Sequence, residues 1–202
     1  MTYPVVLNGA RFQALVVGGG SVAWRKVRGL LDGGVRVTVV APQIVDDLTA
    51  EAAGRSDLTL KQRKYESADL AGTALVIVAT DDAALNRRIA DEAMRGGRLV
   101  NVVDDPEAGT FVTPSVHRAG EMTIAVSTGR TPAAAAAIRA EIGRRFDGRY
   151  DRAIRALRDL RDRLLEHGQR GEWKRASREL IGDEFCSEVE QGRVEERVAE
   201  WR

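Results

Sequence analysis

The stretch that most constrains this chain is residues 12–31, FQALVVGGGSVAWRKVRGLL. Ala14-Leu15-Val16-Val17 has no polar residue to turn toward water, so it reads as a strand buried on both faces. Gly18-Gly19-Gly20-Ser21-Val22-Ala23 follows directly and fits G-x-G-x-x-G/A. A helical period then runs through Val22, Ala23, Lys26, Val27, Leu30 and Leu31. Between a strand and a helix, each small residue has a task. Gly18 permits the tight turn, Gly20 lets a backbone approach a pyrophosphate, and Ala23 allows close helix–strand packing. The first-turn amides of the helix face the anion. Residues 18–23 are therefore the candidate pyrophosphate cradle: Gly18, Gly19, Gly20, Ser21, Val22 and Ala23.

The next elements agree. Gly33-Gly34 closes the helix, and Arg36-Val37-Thr38-Val39-Val40 is a second strand, which completes a βαβ unit. NAD sites commonly carry Asp or Glu at the end of this strand, to bind the ribose hydroxyls. Here Ala41, Pro42 and Gln43 stand there, lining the adenosine side, and they leave NAD versus NADP open.

Further strands are expected at Leu58–Lys61, Leu75–Ala79 and Leu99–Val103, with a helix over Ala83–Arg95. Val5-Val6-Leu7 followed by Asn8-Gly9 suggests an edge hairpin. Strands alternating with helices make an α/β fold, a doubly wound parallel sheet whose ligands bind beyond the carboxyl ends of the strands. That rim gathers Thr80 and Asp81 after the fourth strand, and Asn101, Val102 and Asp104 at the fifth. Asp81 or Asp82 would also cap the following helix. On spacing alone, Asp104-Asp105-Pro106 reads as a turn.

After Val112 the pattern changes. Met122–Val126 reads as a strand, and Ser127-Thr128-Gly129-Arg130-Thr131-Pro132 as an oxygen-rich loop. Thr131 and Pro132 read as the N-cap and first residue of a helix through Phe146. From Asp151 onward nearly half of the residues are charged, leaving only narrow apolar stripes, Ile154/Leu157/Leu160/Leu164 and Trp173/Ala176/Leu180. Such a segment is expected to lack a core of its own and to dock on this chain or on a partner.

Composition excludes several classes. Cys186 is the only cysteine, and His117 and His167 the only histidines, so neither a disulfide framework nor a Cys/His metal cage is expected. A net charge of +1 gives no reason to expect nucleic acid, and no apolar run is long enough to span a membrane. A cytoplasmic setting is expected.

Four motifs in order carry a resemblance: VVGGGSVAWRK (16–26), VIVATDDAALN (76–86), NVVDDPEAGTFVTPS (101–115) and IAVSTGRTP (124–132). Over about its first 150 residues the chain resembles the precorrin-2 dehydrogenase/sirohydrochlorin ferrochelatase family, the N-terminal region of siroheme synthases. The resemblance implies a Rossmann-like domain at 1–112, a small α+β dimerisation segment at 113–146 and a C-terminal helical segment at 147–202. It implies NAD-dependent oxidation of precorrin-2 to sirohydrochlorin by a homodimer, and in some members insertion of Fe²⁺ or Co²⁺ as a further substrate. Asp104 stands where the family's essential aspartate stands, and is the candidate proton acceptor. Ser127, Thr128, Arg130 and Thr131 are the candidate contacts for substrate carboxylates. The rival reading, from another class, is a regulatory NAD-binding module of a transport system. Such modules share the Gly loop and the ATxDD-like strand end, but usually carry the ribose-binding acid this chain lacks.

Overall fold

The computed structural model describes residues 2–129 and 131–201, which form two compact units divided between Thr113 and Pro114.

In the first unit, β1 (Gln13–Val17), β2 (Arg36–Val40), β3 (Leu58–Lys61), β4 (Leu75–Val78) and β5 (Leu99–Val102) form one parallel sheet. Its order is β3-β2-β1-β4-β5. Successive strand residues point to opposite faces, and both faces are covered. Leu15, Val17, Val76, Val78, Val100 and Val102 meet Ile89, Ala90 and Ala93 of α3 (Ala83–Arg95). Val16, Val37, Val39 and Ile77 meet Ala23, Val27 and Leu31 of α1 (Ser21–Asp32) and Leu48 of α2 (Asp46–Ala52). Two-sided burial is why these strands read as unbroken apolar runs.

The expected hairpin at Val5–Leu7 does not form. Val5 and Val6 are 62% and 93% exposed, and Asn8 leads into a 3-10 turn at Gly9–Arg11. Gly9 is glycine because a Cβ there would meet the Gly33 carbonyl oxygen at 1.8 Å, not because a hairpin turns on it.

The edge of β5 is covered by the segment that follows it. Thr110 and Phe111 N–H donate to the Val100 carbonyl at 2.7 and 3.1 Å, and Val100 N–H donates to Thr110 Oγ1 at 2.8 Å. Asn101 Nδ2 donates to the Phe111 carbonyl at 3.0 Å.

The second unit opens with an antiparallel pair, β6 (Ser115–Ala119) and β7 (Met122–Val126). The mixed sequence Ser-Val-His-Arg-Ala gives no apolar alternation, so β6 is legible only through its pairing. Five helices follow: α4 (Pro132–Arg145), α5 (Gly148–Glu166), α6 (Arg170–Leu180), α7 (Phe185–Glu190) and α8 (Arg193–Glu200). His117 Nε2 lies 2.6 Å from the Phe146 carbonyl at the end of α4, which makes it a structural tie.

The charged tail, expected to lack a core, has one. Tyr150, Ala153, Leu157, Leu160 and Leu164 of α5 pack with Ala176, Leu180, Val189, Val194 and Val198 from the other three helices. Each stripe is narrow, but residues from four helices share one buried cluster, and together they bury what none could bury alone.

Candidate functional site

The rim of the first sheet is built by backbone bonds that run one residue past each strand. Gly18 N–H donates to the Val40 carbonyl at 3.1 Å, Ala41 N–H to Lys61 at 3.2 Å, Ala79 N–H to Val17 at 2.8 Å and Val103 N–H to Val78 at 3.0 Å. Strand order reverses at β1, so the Gly loop lies at the switch point where such sheets bind ligands.

The three loop glycines differ in what demands them. Gly18 has φ +127°, and a Cβ there would meet the Ala79 carbonyl oxygen at 2.2 Å. A Cβ on Gly19 would meet the Gln43 carbonyl oxygen at 2.1 Å, and Val45 N–H donates to the Gly19 carbonyl at 2.9 Å. The loop after β2 is thereby cinched onto the Gly loop. A Cβ on Gly20, by contrast, would meet nothing within 4 Å. The protein's own packing does not require that glycine, and its missing side chain leaves open space over the first turn of α1. Gly20 is the N-cap and provides no side-chain acceptor, and the first turn holds no acid. The amides of Ser21, Val22 and Ala23 are thus left for an anion, so these residues fit a dinucleotide pyrophosphate. Ala23 is fully buried against β1, as its small size requires.

On the adenosine side Ala41 is buried, while Pro42 and Gln43 are exposed. At the end of β4, Thr80 is tied to a buried residue of α3. Its Oγ1 donates to Asn86 Oδ1 at 2.5 Å, and Asn86 Nδ2 donates back to the Thr80 carbonyl at 2.9 Å. Asp82, not Asp81, caps α3 by accepting from Leu85 N–H at 3.0 Å. Asp81 is exposed, and among the described residues nothing engages its carboxylate. Asn86 was missed in the sequence, although a polar residue on the apolar stripe of Leu85, Ile89, Ala90 and Ala93 was a usable signal.

At β5, Val102 turns its side chain into the core. Asn101 is 4% exposed, and its Oδ1 has no partner among the described residues. Asp105 is drawn toward Arg87 at 3.4 Å, whereas Asp104 is exposed and free of any partner among the described residues. Asp104 therefore offers a free carboxylate at the end of β5, on the same sheet rim as the Gly loop and one strand beyond that of Asp81. Lys26 Nζ, on α1, donates to Thr113 Oγ1 at 2.5 Å. Burial, and then the charge of neighbouring Arg25, lowers its pKa below the ordinary lysine value.

The candidate substrate contacts lie in the second unit. Ser127 is exposed, and Thr128 Oγ1 donates to the Thr131 carbonyl at 2.6 Å. Thr131 stands at the N-cap of α4 but makes no side-chain capping bond. Arg130 lies outside the described residues. Among the described residues no group of three His, Cys, Asp or Glu could hold a metal ion, and no helix is long and apolar enough to cross a membrane.

A family model described as "Putative NAD(P)-binding" matches residues 5–115, more than half of the chain. The chain belongs to that family. Curated relatives narrow the branch. A siroheme synthase of Ectopseudomonas mendocina is 39% identical over 194 residues, covering 92% of this chain and 41% of that protein. One of Pseudomonas fluorescens is 44% identical over 137 residues, 67% of this chain and 29% of that protein. A solved structure of SirC, precorrin-2 dehydrogenase, matches with a TM-score of 0.73 at 25% identity, covering 99% of this chain and 100% of that one. The membership expected from the four motifs, in the precorrin-2 dehydrogenase and siroheme synthase N-terminal family, holds. The chain spans well under half the length of these siroheme synthases. Its first unit is a nicotinamide-dinucleotide-binding domain of Rossmann-like fold.

Proposed function

We propose that this protein catalyses the NAD-dependent oxidation of precorrin-2 to sirohydrochlorin, in the cytoplasm. The observation that carries this reading is the free carboxylate of Asp104 at the end of β5, on the same rim as a Gly loop whose third glycine opens onto empty space. Bound nicotinamide supplies the hydride acceptor. The chain's own residues do the rest. The amides of Ser21, Val22 and Ala23 hold the pyrophosphate, and Gly18 and Gly19 let the loop close on its neighbours. Asp104 takes the proton that must leave the macrocycle as the hydride departs, a role open to it because Arg87 engages Asp105 instead. Asp81 and the backbone at Thr80 and Val102 lie along the nicotinamide half, and Ser127, Thr128, Arg130 and Thr131 take substrate carboxylates. Anaerobic incubation with precorrin-2 and NAD, followed by absorbance, tests the reading: sirohydrochlorin should form only with both present. Adding Fe²⁺ or Co²⁺ to the product mixture in a second step reports whether the metal is also a substrate.

The protein acts as a homodimer through residues 113–146. The support is α4, whose Ala133, Ala136, Ala137, Ile138 and Ala140 are exposed, Ile138 at 46%. A face of small apolar residues suits close packing against a second copy. Light scattering at micromolar concentration should give twice the chain mass of 22.0 kDa; the single-chain mass would remove the dimer.

A further inference from the structure

We propose that Asn86 is a positioning residue for the nicotinamide half of the cofactor, acting through the Thr80–Asp81 peptide. The proposal rests on the dinucleotide-binding reading above. Asn86 occupies a core position of α3, in line with Ile89, Ala90 and Ala93, and is 7% exposed. An aliphatic side chain there would join the same buried cluster, whereas an amide gives up its water on burial. Helix capping does not call for the amide, because Asp82 already accepts from Leu85 N–H at 3.0 Å.

Both ends of that amide are spent on Thr80. The Thr80 carbonyl can only accept, so Nδ2 must face it, at 2.9 Å, and Oδ1 is left to accept from the Thr80 hydroxyl at 2.5 Å. The hydroxyl oxygen in turn accepts from Asp82 N–H at 3.2 Å. On either side of this ring the backbone is held independently. Ala79 N–H donates to the Val17 carbonyl at 2.8 Å, and Asn86 N–H to the Asp82 carbonyl at 2.9 Å. Only the peptide between Thr80 and Asp81 depends on the side-chain tie. In a trans peptide the carbonyl and the next N–H point opposite ways. With the Thr80 carbonyl turned toward α3, the Asp81 N–H is turned away from it. Neither that N–H nor the Asp81 carboxylate has a partner among the described residues. Strand order sets Asp81 at the end of β4, between the Gly loop at β1 and Asp104 at β5, and on the other side of the loop from residues 41–43. A donor held in one orientation beside a carboxylate suits the ribose hydroxyls and carboxamide of the nicotinamide half.

The test is the double variant Thr80→Val/Asn86→Leu, which removes both partners of the tie and leaves no buried amide unpaired. Denaturant unfolding should give a native midpoint or a higher one. Calorimetric titration should give native affinity for ADP, which carries the adenosine and two phosphates but no nicotinamide riboside. Affinity for NAD should fall by about tenfold, the scale of one or two lost hydrogen bonds. Thr80→Ser keeps the hydroxyl and should bind both ligands as the unaltered protein does. A double variant that binds NAD with native affinity would overturn the proposal and leave dinucleotide binding intact. Equal weakening of NAD and ADP would also overturn it, because the tie would then act on the Gly loop rather than on the nicotinamide half. A double variant that fails to fold would overturn it as well, by making the tie a support of the fold. Binding of neither ADP nor NAD by the unaltered protein would sink the dinucleotide-binding reading along with it.

Discussion

The two units solve the same problem of burial in opposite ways. The first buries whole strands: Leu15, Val16, Val39, Val76, Ile77 and Val78 are at 0% exposure, and helices cover both faces of the sheet. Its rim can therefore carry free polar groups and an open glycine, because the apolar core lies away from them; Gly18 and Gly19 are the rim positions that the fold itself requires. Among its described residues the second unit buries no wide apolar face. It is held by stripes one residue wide on α5, α6, α7 and α8, wrapped in ion pairs such as Arg152–Glu195 and Arg197–Glu188. In the first unit, then, chemistry and stability are separated along each strand. In the second, polar residues lie one position from the core, and the same short helices must supply both.

That separation predicts the largest effects at the rim. Asp104→Ala should leave unfolding and NAD affinity unchanged, yet slow precorrin-2 oxidation roughly a hundredfold or more, the usual scale for losing a positioned acid–base group. Asp105→Ala should cost far less, since its carboxylate is already occupied by Arg87. Equal, near-native rates in both variants, measured at saturating substrate and NAD, would leave only a nucleotide-binding domain, and the regulatory-module reading would lead. The glycines sharpen the point. Gly20→Asp should abolish cofactor binding in a folded protein, because its Cβ meets no protein atom. Gly18→Ala should instead impair folding of the first unit, because its Cβ would lie 2.2 Å from the Ala79 carbonyl oxygen at a φ that side chains rarely adopt.

The next largest effect belongs to the second unit. Leu157→Ala empties the middle of the α5 stripe, where Leu157 is 6% exposed. The expected cost is about 2–5 kcal/mol, read by denaturant unfolding. Cofactor affinity should stay native if the first unit folds on its own core. Loss of NAD binding in step with helix content would show that the two units share one folding transition.

How much of this was legible in the sequence follows from the same contrast. The sheet was readable because two-sided burial writes itself as apolar runs, and the Gly loop because backbone geometry at Gly18 and Gly19 admits no other residue. The tail misled because stripe width alone was weighed. Tyr150 and Ala153, which extend the α5 stripe toward its N-terminus, and Val189, Val194 and Val198, spread over two short helices, complete a core that no single periodic window displays. The site was half legible. The motif singles out Asp104 only as a candidate, and the Asn86–Thr80 tie and the pairing of Asp105 with Arg87 join residues six and eighteen positions apart, through geometry the sequence does not state. At the N-terminus, Asn8-Gly9 carried a hairpin signature whose glycine was in fact required by Gly33.

Charge sharpens the comparison further. Asp69 in the first unit has a side chain only 1% exposed, and it accepts from Arg63 at 2.6 and 2.7 Å, from Lys61 at 3.1 Å and from Glu66 N–H at 3.1 Å. The Arg63 bonds, aided by Glu66 N–H and Lys61, outweigh burial and hold its pKa far below the usual carboxylate range. A depressed folded pKa means stabilisation that is fully present above the unfolded value, about 3.9, and is lost as pH falls through the folded one. Asp69→Asn should therefore cost about 1–3 kcal/mol at neutral pH, and the gap between the two proteins should narrow only below about pH 4. A gap that is constant down to pH 2 would mean that the loss does not come from the ionised carboxylate.

The smallest effect is expected where charge is densest. Arg161 and Asp162 on α5 lie 2.9 Å apart, with side chains 50% and 51% exposed. Both ends are wet, so the attraction is screened, and holding two long side chains in one geometry offsets much of what remains. Arg161→Ala should change stability by no more than about 0.5 kcal/mol, within the range of exposed pairs. Raising salt from about 0.05 to 0.5 M should move the unaltered protein and the variant alike, because at the higher value screening acts within a few ångströms. If several such arginines prove to cost more than about 1 kcal/mol each, additively and at high salt, then the second unit is held by its charge lattice rather than by the stripe beneath it. In that event Leu157→Ala would be the milder substitution. Measuring both variants under one set of conditions decides which of the two holds the helices together.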